Sequence, residues 1–142
     1  MAGQPRPRVY VIGTGGSISF VGRERTDFTN YSYDNKHLSI QDLLDRIPEV
    51  NDLAEVRVEQ FLNLGSPDIL PAHWLGLAQR INRIFLEDPE AAGVAVTHGT
   101  ATLEETAYFL NLTVKNEKPV VITGAMRPPT ALGTDADVNL LD

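Results

Sequence analysis

GVAVTHGTATLEETAYFLNLTV, residues 93–114, decides the fold. Its first four residues form an apolar run too short for a helix and rich enough in valine for a buried strand. Thr97-His98-Gly99-Thr100 is small, polar and broken by glycine, the composition of a tight turn. Thr102 then reads as the start of a helix, with Glu105 three residues on as its capping-box partner. Leu103, Ala107, Leu110 and Val114 recur at helical spacing and give that helix an apolar stripe. Strand, turn and helix in succession are the unit of an α/β sheet, where ligands bind between strand carboxyl ends and helix amino ends. Thr100 lies outside the cap, so the helix does not require its hydroxyl. His98 reads either as a hydrogen-bonded structural histidine, the commoner case, or as a catalyst.

The same grammar recurs outward from this unit. Residues 9–12, VYVI, form a buried strand leading into Gly13-Thr14-Gly15-Gly16-Ser17. A dinucleotide fingerprint starting at Gly13 needs glycine where Ile18 stands, and a P-loop needs a lysine that is absent, so nucleotide binding is disfavoured. Flanking glycines instead let a small ligand approach the backbone and are expected to leave the Thr14 hydroxyl uncovered. Residues 20–36 turn polar and irregular over about 17 positions, longer than an ordinary connection and in keeping with an active-site loop bearing Tyr31 and Tyr33. Ser39 caps a predicted helix over 40–47, stopped by Pro48. EVRVEQFL at 55–62 alternates as a half-exposed strand and ends in a turn containing Gly65 and Ser66. A helix is predicted from Pro71 through Leu86, a further strand over 120–123, and a helix beginning near Asp135. Four hydroxyl-bearing loops, each following a strand, predict one edge of one mainly parallel sheet.

The totals narrow the partners. A chain of 142 residues that is 42% hydrophobic supports one domain with a real core. A formal charge of −7, from 12 basic and 19 acidic residues without basic runs, argues against nucleic acid and against an anionic membrane. No cysteine is present, so thiolate catalysis and cysteine metal sites are excluded. Histidines 37, 73 and 98 share no ligand spacing, so neither a metal nor another cofactor is expected. MAGQPRPR does not read as a signal peptide, and no segment approaches the ~20 apolar residues of a membrane span, so a cytoplasmic location is expected.

VIGTGGSIS at 11–19 and GVAVTHGTATL at 93–103 resemble the two signatures of the bacterial-type L-asparaginase/glutaminase family. The NLGS turn at 63–66 and EETAYFLNLTVKNEKPVVITGAMRP at 104–128 continue the likeness, which runs from Val9 onward. The resemblance implies a three-layer α/β domain with a mainly parallel sheet flanked by helices. Residues 1–142 would be a partial amino-terminal domain of an asparaginase-like protein, without the carboxy-terminal domain. It implies hydrolysis of a side-chain amide through an acyl-enzyme and assigns the nucleophile to Thr14, with Thr100 as second hydroxyl. Tyr33 is the site tyrosine by ungapped spacing from Pro48 and is preferred over Tyr31, which the local Asn-Tyr pair would select. Gly65 and Ser66 fall on the substrate-carboxylate turn. The family lysine and an acid from a neighbouring subunit lie outside residues 1–142, and a homotetramer of intimate dimers is implied. Two positions depart: Ser17 replaces a threonine, and Ala101 replaces the aspartate that pairs with the substrate α-amino group. The second departure implies either a substrate without that amino group, preferred because the Thr14 and Thr100 hydroxyls are kept, or a binding module without activity.

Overall fold

The computed structural model describes residues 5–29 and 36–142. Strands β1 (Arg8–Gly15), β2 (Glu55–Leu64), β3 (Ala91–Thr97) and β4 (Val120–Thr123) form a four-stranded sheet in the order β2-β1-β3-β4, with every pairing parallel. Parallel neighbours need crossovers, and helices supply them. These are α1 (Ile40–Leu44), α2 (Val50–Leu53), α3 (Pro71–Glu87), α4 (Leu103–Thr113) and α5 (Ala136–Leu141).

Strand alternation divides the core in two. Ile12, Val94 and Val96 face α3 and α4, meeting Leu77, Ala78, Ile81, Ile84, Phe85 and Leu110. Val11 and Ala95 face the opposite side, against Ile40, Leu43 and Leu44 of α1 and Ala136 of α5. The domain is therefore three-layered α/β, as the sequence implies, and all four strand carboxyl ends share one edge. At the other edge Arg8 reaches Asp88 at 3.0 Å and Glu55 at 3.3 Å, while the Tyr10 hydroxyl donates to Asp88 at 3.1 Å.

Several boundaries differ from the sequence expectation. β1 continues through Gly13, Thr14 and Gly15, because Gly13 pairs with both Gln60 and Thr97 and Gly15 pairs with Leu64. A segment with a strand on each side stays in the sheet whatever its turn propensity. Ser39 and Asp42 form the expected capping box, with the Asp42 amide 3.1 Å from the Ser39 hydroxyl. The helix they open ends at Leu44 instead of 47, and the unpredicted one-turn helix α2 follows Pro48. The Thr102–Glu105 capping box does not form. Thr102 precedes α4 with φ −134° and ψ 28°, and its hydroxyl donates to the Ser66 carbonyl at 2.9 Å. That bond turns the side chain toward the turn after β2, so its oxygen does not sit over the first α4 amides to accept from them.

Candidate active site

The turns after β1, β2 and β3 meet backbone to backbone. Gly16 has φ +88°, and a Cβ built on it would lie 2.2 Å from the Gly99 Cα, so only glycine fits both the torsion and the space. Its amide donates to the Leu64 carbonyl at 2.8 Å, tying the first turn to the end of β2. A Cβ on Gly99 would in turn lie 2.6 Å from the Ser66 Oγ. Ser66 is 2% exposed and begins a short 3-10 turn, Ser66–Asp68, with Gly65 half-buried before it. The Asp68 carboxylate folds back over Gly65, 3.4 Å from where a Cβ would stand. This contact of three turns brings the predicted hydroxyl loops together.

Thr14 is not on that rim. It is 1% exposed, and its hydroxyl donates to the Thr97 carbonyl at 2.7 Å across the β1–β3 pair. The expectation of an uncovered Thr14 hydroxyl is therefore corrected. Alternation explains the burial: position 14 follows Tyr10 and Ile12 at period two, on the face that packs against α3 and α4. Ser17 is the hydroxyl beyond the glycine pair. It is half-buried, and its Oγ donates to the Ala125 carbonyl in the loop after β4. Ser17 follows the turn at Gly16 and so belongs to neither face of β1.

Thr100 and Ala101 are exposed at the mouth of the β3–α4 turn. Beneath them His98 is wholly buried, with Nδ1 2.8 Å from the Gly99 carbonyl and Nε2 2.9 Å from the Thr106 Oγ1. A carbonyl can only accept, so Nδ1 carries the proton, and Nε2 accepts from the Thr106 hydroxyl. Burial holds the imidazole pKa below its usual 6.5, which favours this neutral ring. His98 is thus a structural histidine of the turn. Tyr31 and Tyr33 lie outside the described residues. The base of their loop is pinned by an antiparallel Phe20–His37 bridge, by the Leu38 amide on the Ser19 carbonyl at 2.7 Å, and by the Gly22 amide on the Thr130 hydroxyl at 3.2 Å.

Three surface concavities lie on the flanks of the sheet: between α4 and β4, along the outer side of α3, and between α1 and β2. None includes Ser17, Ser66, Thr100 or Ala101. The residues lining these concavities include no hydroxyl side chain, whereas the turn cluster gathers Ser17, Ser66 and Thr100. Among the described residues no group of His, Asp and Glu is arranged to hold a metal ion, and no helix is long and apolar enough to cross a membrane.

Residues 8–142 match the family described as Asparaginase, N-terminal. The chain belongs to the asparaginase family. It is 46% identical over 134 residues to L-asparaginase 2 of Bacillus subtilis (strain 168), covering 94% of this chain and 35% of that protein. Against L-asparaginase 2 of Escherichia coli (strain K12) the identity is 42% over 134 residues, covering 94% of this chain and 37% of that one. The solved structure of the probable cytoplasmic L-asparaginase from Campylobacter jejuni superposes with a TM-score of 0.88 at 41% identity, covering 96% of this chain and 40% of that chain. This asparaginase-family chain thus spans between 35% and 40% of the length of these relatives.

Proposed function

We propose that this chain supplies the nucleophile-bearing part of an asparaginase-like amidohydrolase, which cleaves a side-chain carboxamide to an acid and ammonia through an acyl-enzyme. The observation that carries the reading is the contact of Gly16, Ser66 and Gly99, which gathers Ser17, Ser66, Thr100 and Ala101 on one sheet edge. The nucleophile in this reading is Ser17 and not Thr14. Both hydroxyls donate to a backbone carbonyl, but that of Thr14 is sealed at 1% exposure, whereas Ser17 is half-buried and stands where the family motif also carries a hydroxyl. Attack by the Ser17 oxygen on the amide carbon expels ammonia after proton transfer, and water then releases the acid. A hydroxyl is a weak nucleophile at neutral pH and needs a neighbour to take its proton. Thr100, with a tyrosine from 31 or 33, is the proposed relay within this chain.

Ser66 and Gly65 are proposed to receive the substrate carboxylate. Ala101 offers no charge to a substrate ammonium, and losing a charge-assisted bond costs about 1.5–3 kcal/mol, roughly ten- to a hundredfold in affinity or rate. The favoured substrate is therefore an amide without a free α-amino group. The exposed methyl of Ala101 also supports a second reading, a small-amide binding module that keeps the rim and does not turn over. Residues 1–142 are read as most of an amino-terminal domain, in a cytoplasmic homotetramer whose neighbouring subunits complete the site. Ammonia release by the full-length protein from asparagine, glutamine and amides lacking the α-amino group tests the reading. Turnover of the last class above the first two is the expected result. Ligand-induced thermal stabilisation without any ammonia would favour the binding module.

A further inference from the structure

The buried pair His98 and Thr106 has no part in the chemistry above, yet it is placed to aim one peptide of the site. The imidazole reaches forward to the Gly99 carbonyl at 2.8 Å and back to the Thr106 hydroxyl on α4 at 2.9 Å, and both residues are 0% exposed. Thr106 sits on the inward stripe of α4, where an aliphatic residue would pack as well, so its hydroxyl answers a need other than burial. The turn it serves lacks the ordinary fastening: Thr102 makes no side-chain cap on α4, and its hydroxyl points to the Ser66 carbonyl. What remains to fix the Gly99 carbonyl is the ring, whose Nδ1 must carry the proton to bond it, and Thr106 holds the ring from its other nitrogen.

The Gly99–Thr100 peptide is trans, so its N–H points opposite to its C=O. With the carbonyl drawn inward to Nδ1, the Thr100 N–H is turned outward to the rim, and among the described residues no group takes it. A fixed N–H beside the nucleophile's turn is the geometry that stabilises negative charge on an attacked carbonyl. We infer that His98 and Thr106 are positioning residues, a brace from α4 through the imidazole that locks the Gly99–Thr100 peptide with its N–H facing the substrate. The inference rests on the amidohydrolase reading for its kinetic consequence, though not for the brace itself.

If the brace were absent, the ring would be free to carry its proton on Nε2 and the peptide free to rotate. A donor that strengthens only as charge develops acts on kcat more than on KM. In the full-length protein, Thr106→Val keeps shape and removes the hydroxyl, and Thr106→Ser restores it. The expected result is a kcat about tenfold lower in Thr106→Val with KM changed less than about twofold, and recovery in Thr106→Ser. Imidazole nitrogen NMR should find the His98 proton on Nδ1 in the unsubstituted protein, and a mixture of tautomers with a shifted Thr100 amide resonance in Thr106→Val. A Thr106→Val protein with unchanged kcat, or an unsubstituted protein with the proton on Nε2, overturns the inference. Should the unsubstituted protein release no ammonia, the amidohydrolase reading fails alone, because the tautomer and the Thr100 resonance still decide the brace. Should Thr106→Val not fold, the tautomer of the unsubstituted protein still decides it.

Discussion

Thr14 and Ser17 are three positions apart, and the proposed reading gives opposite consequences when their hydroxyls are removed. Thr14→Val preserves the β-branched shape in a site only 1% exposed, so no cavity opens. What disappears is the 2.7 Å bond to the Thr97 carbonyl, leaving a buried acceptor short of a partner. Such an orphan costs about 1–3 kcal/mol; at about 2 kcal/mol and an m-value of about 2 kcal/mol/M, the urea midpoint falls by about 1 M. Ammonia release per folded molecule should fall by less than about tenfold, since in the proposed reading that hydroxyl meets no substrate and acts only by fixing the strand end. Ser17→Ala removes a half-buried hydroxyl bonded to the Ala125 carbonyl, worth about 0.5–1.5 kcal/mol, and should lower the midpoint by no more than about 0.7 M. Its activity should fall on the order of 10³-fold or more, as for other lost nucleophiles. Both measurements use the full-length protein, with unfolding followed by circular dichroism and ammonia by a coupled assay. A Thr14→Val protein that is stable and inactive, beside a Ser17→Ala protein that is active, would refute the reasoning.

Ala101→Asp should raise turnover of asparagine about ten- to a hundredfold relative to des-amino amides, and a flat ratio in the ammonia assay would remove Ala101 from the determinants of specificity. His98 makes stability pH-dependent in a defined direction. Burial lowers its native pKa below the usual 6.5, so the unfolded chain takes up a proton first as pH falls. The stabilisation is complete above about pH 6.5 and is lost toward the native pKa, so the urea midpoint should decline as pH falls below that value, with a shallower decline in His98→Gln. Gly16→Ala combines a φ of +88° with a Cβ placed 2.2 Å from Gly99, and should cost more than about 3 kcal/mol, seen as loss of the cooperative unfolding transition.

The sheet was legible because periodicity and punctuation agreed at each strand end, and the parallel order follows once every strand is succeeded by a helix. The site was legible as a place before it was legible as residues. Gly13 and Gly15 read locally as turn formers, yet Gly13 is held by strands on both sides and Gly15 by Leu64 of β2, and only pairing partners far along the chain reveal that. A distant partner also decided the Thr102 cap: the hydroxyl points to the Ser66 carbonyl, 36 residues away, and its oxygen does not cap the local amides. The His98–Thr106 contact escaped notice for a different reason. Thr106 occupies a position of the apolar stripe, where pattern reading expects packing and discounts a hydroxyl.

Thr14 and Ser17 together suggest why the motif carries two hydroxyls around two glycines. The first ties β1 to β3 through Thr97, one residue before His98, so the end of β1 cannot shift without moving the next turn. The glycine pair then carries the chain across Gly99 at a distance no side chain tolerates, and the second hydroxyl emerges on a base already fixed on both sides. A nucleophile borne on a strand end gains from such fixing, because a misplacement of about 1 Å can cost on the order of a hundredfold in rate. On this argument the Thr14 hydroxyl contributes to turnover only through rigidity. Thr14→Ser, which keeps the bond to Thr97 but loses the methyl that restricts χ1, should leave the urea midpoint closer to the unsubstituted protein than Thr14→Val does. The opposite order would mean that packing, and not the hydrogen bond, joins the two turns.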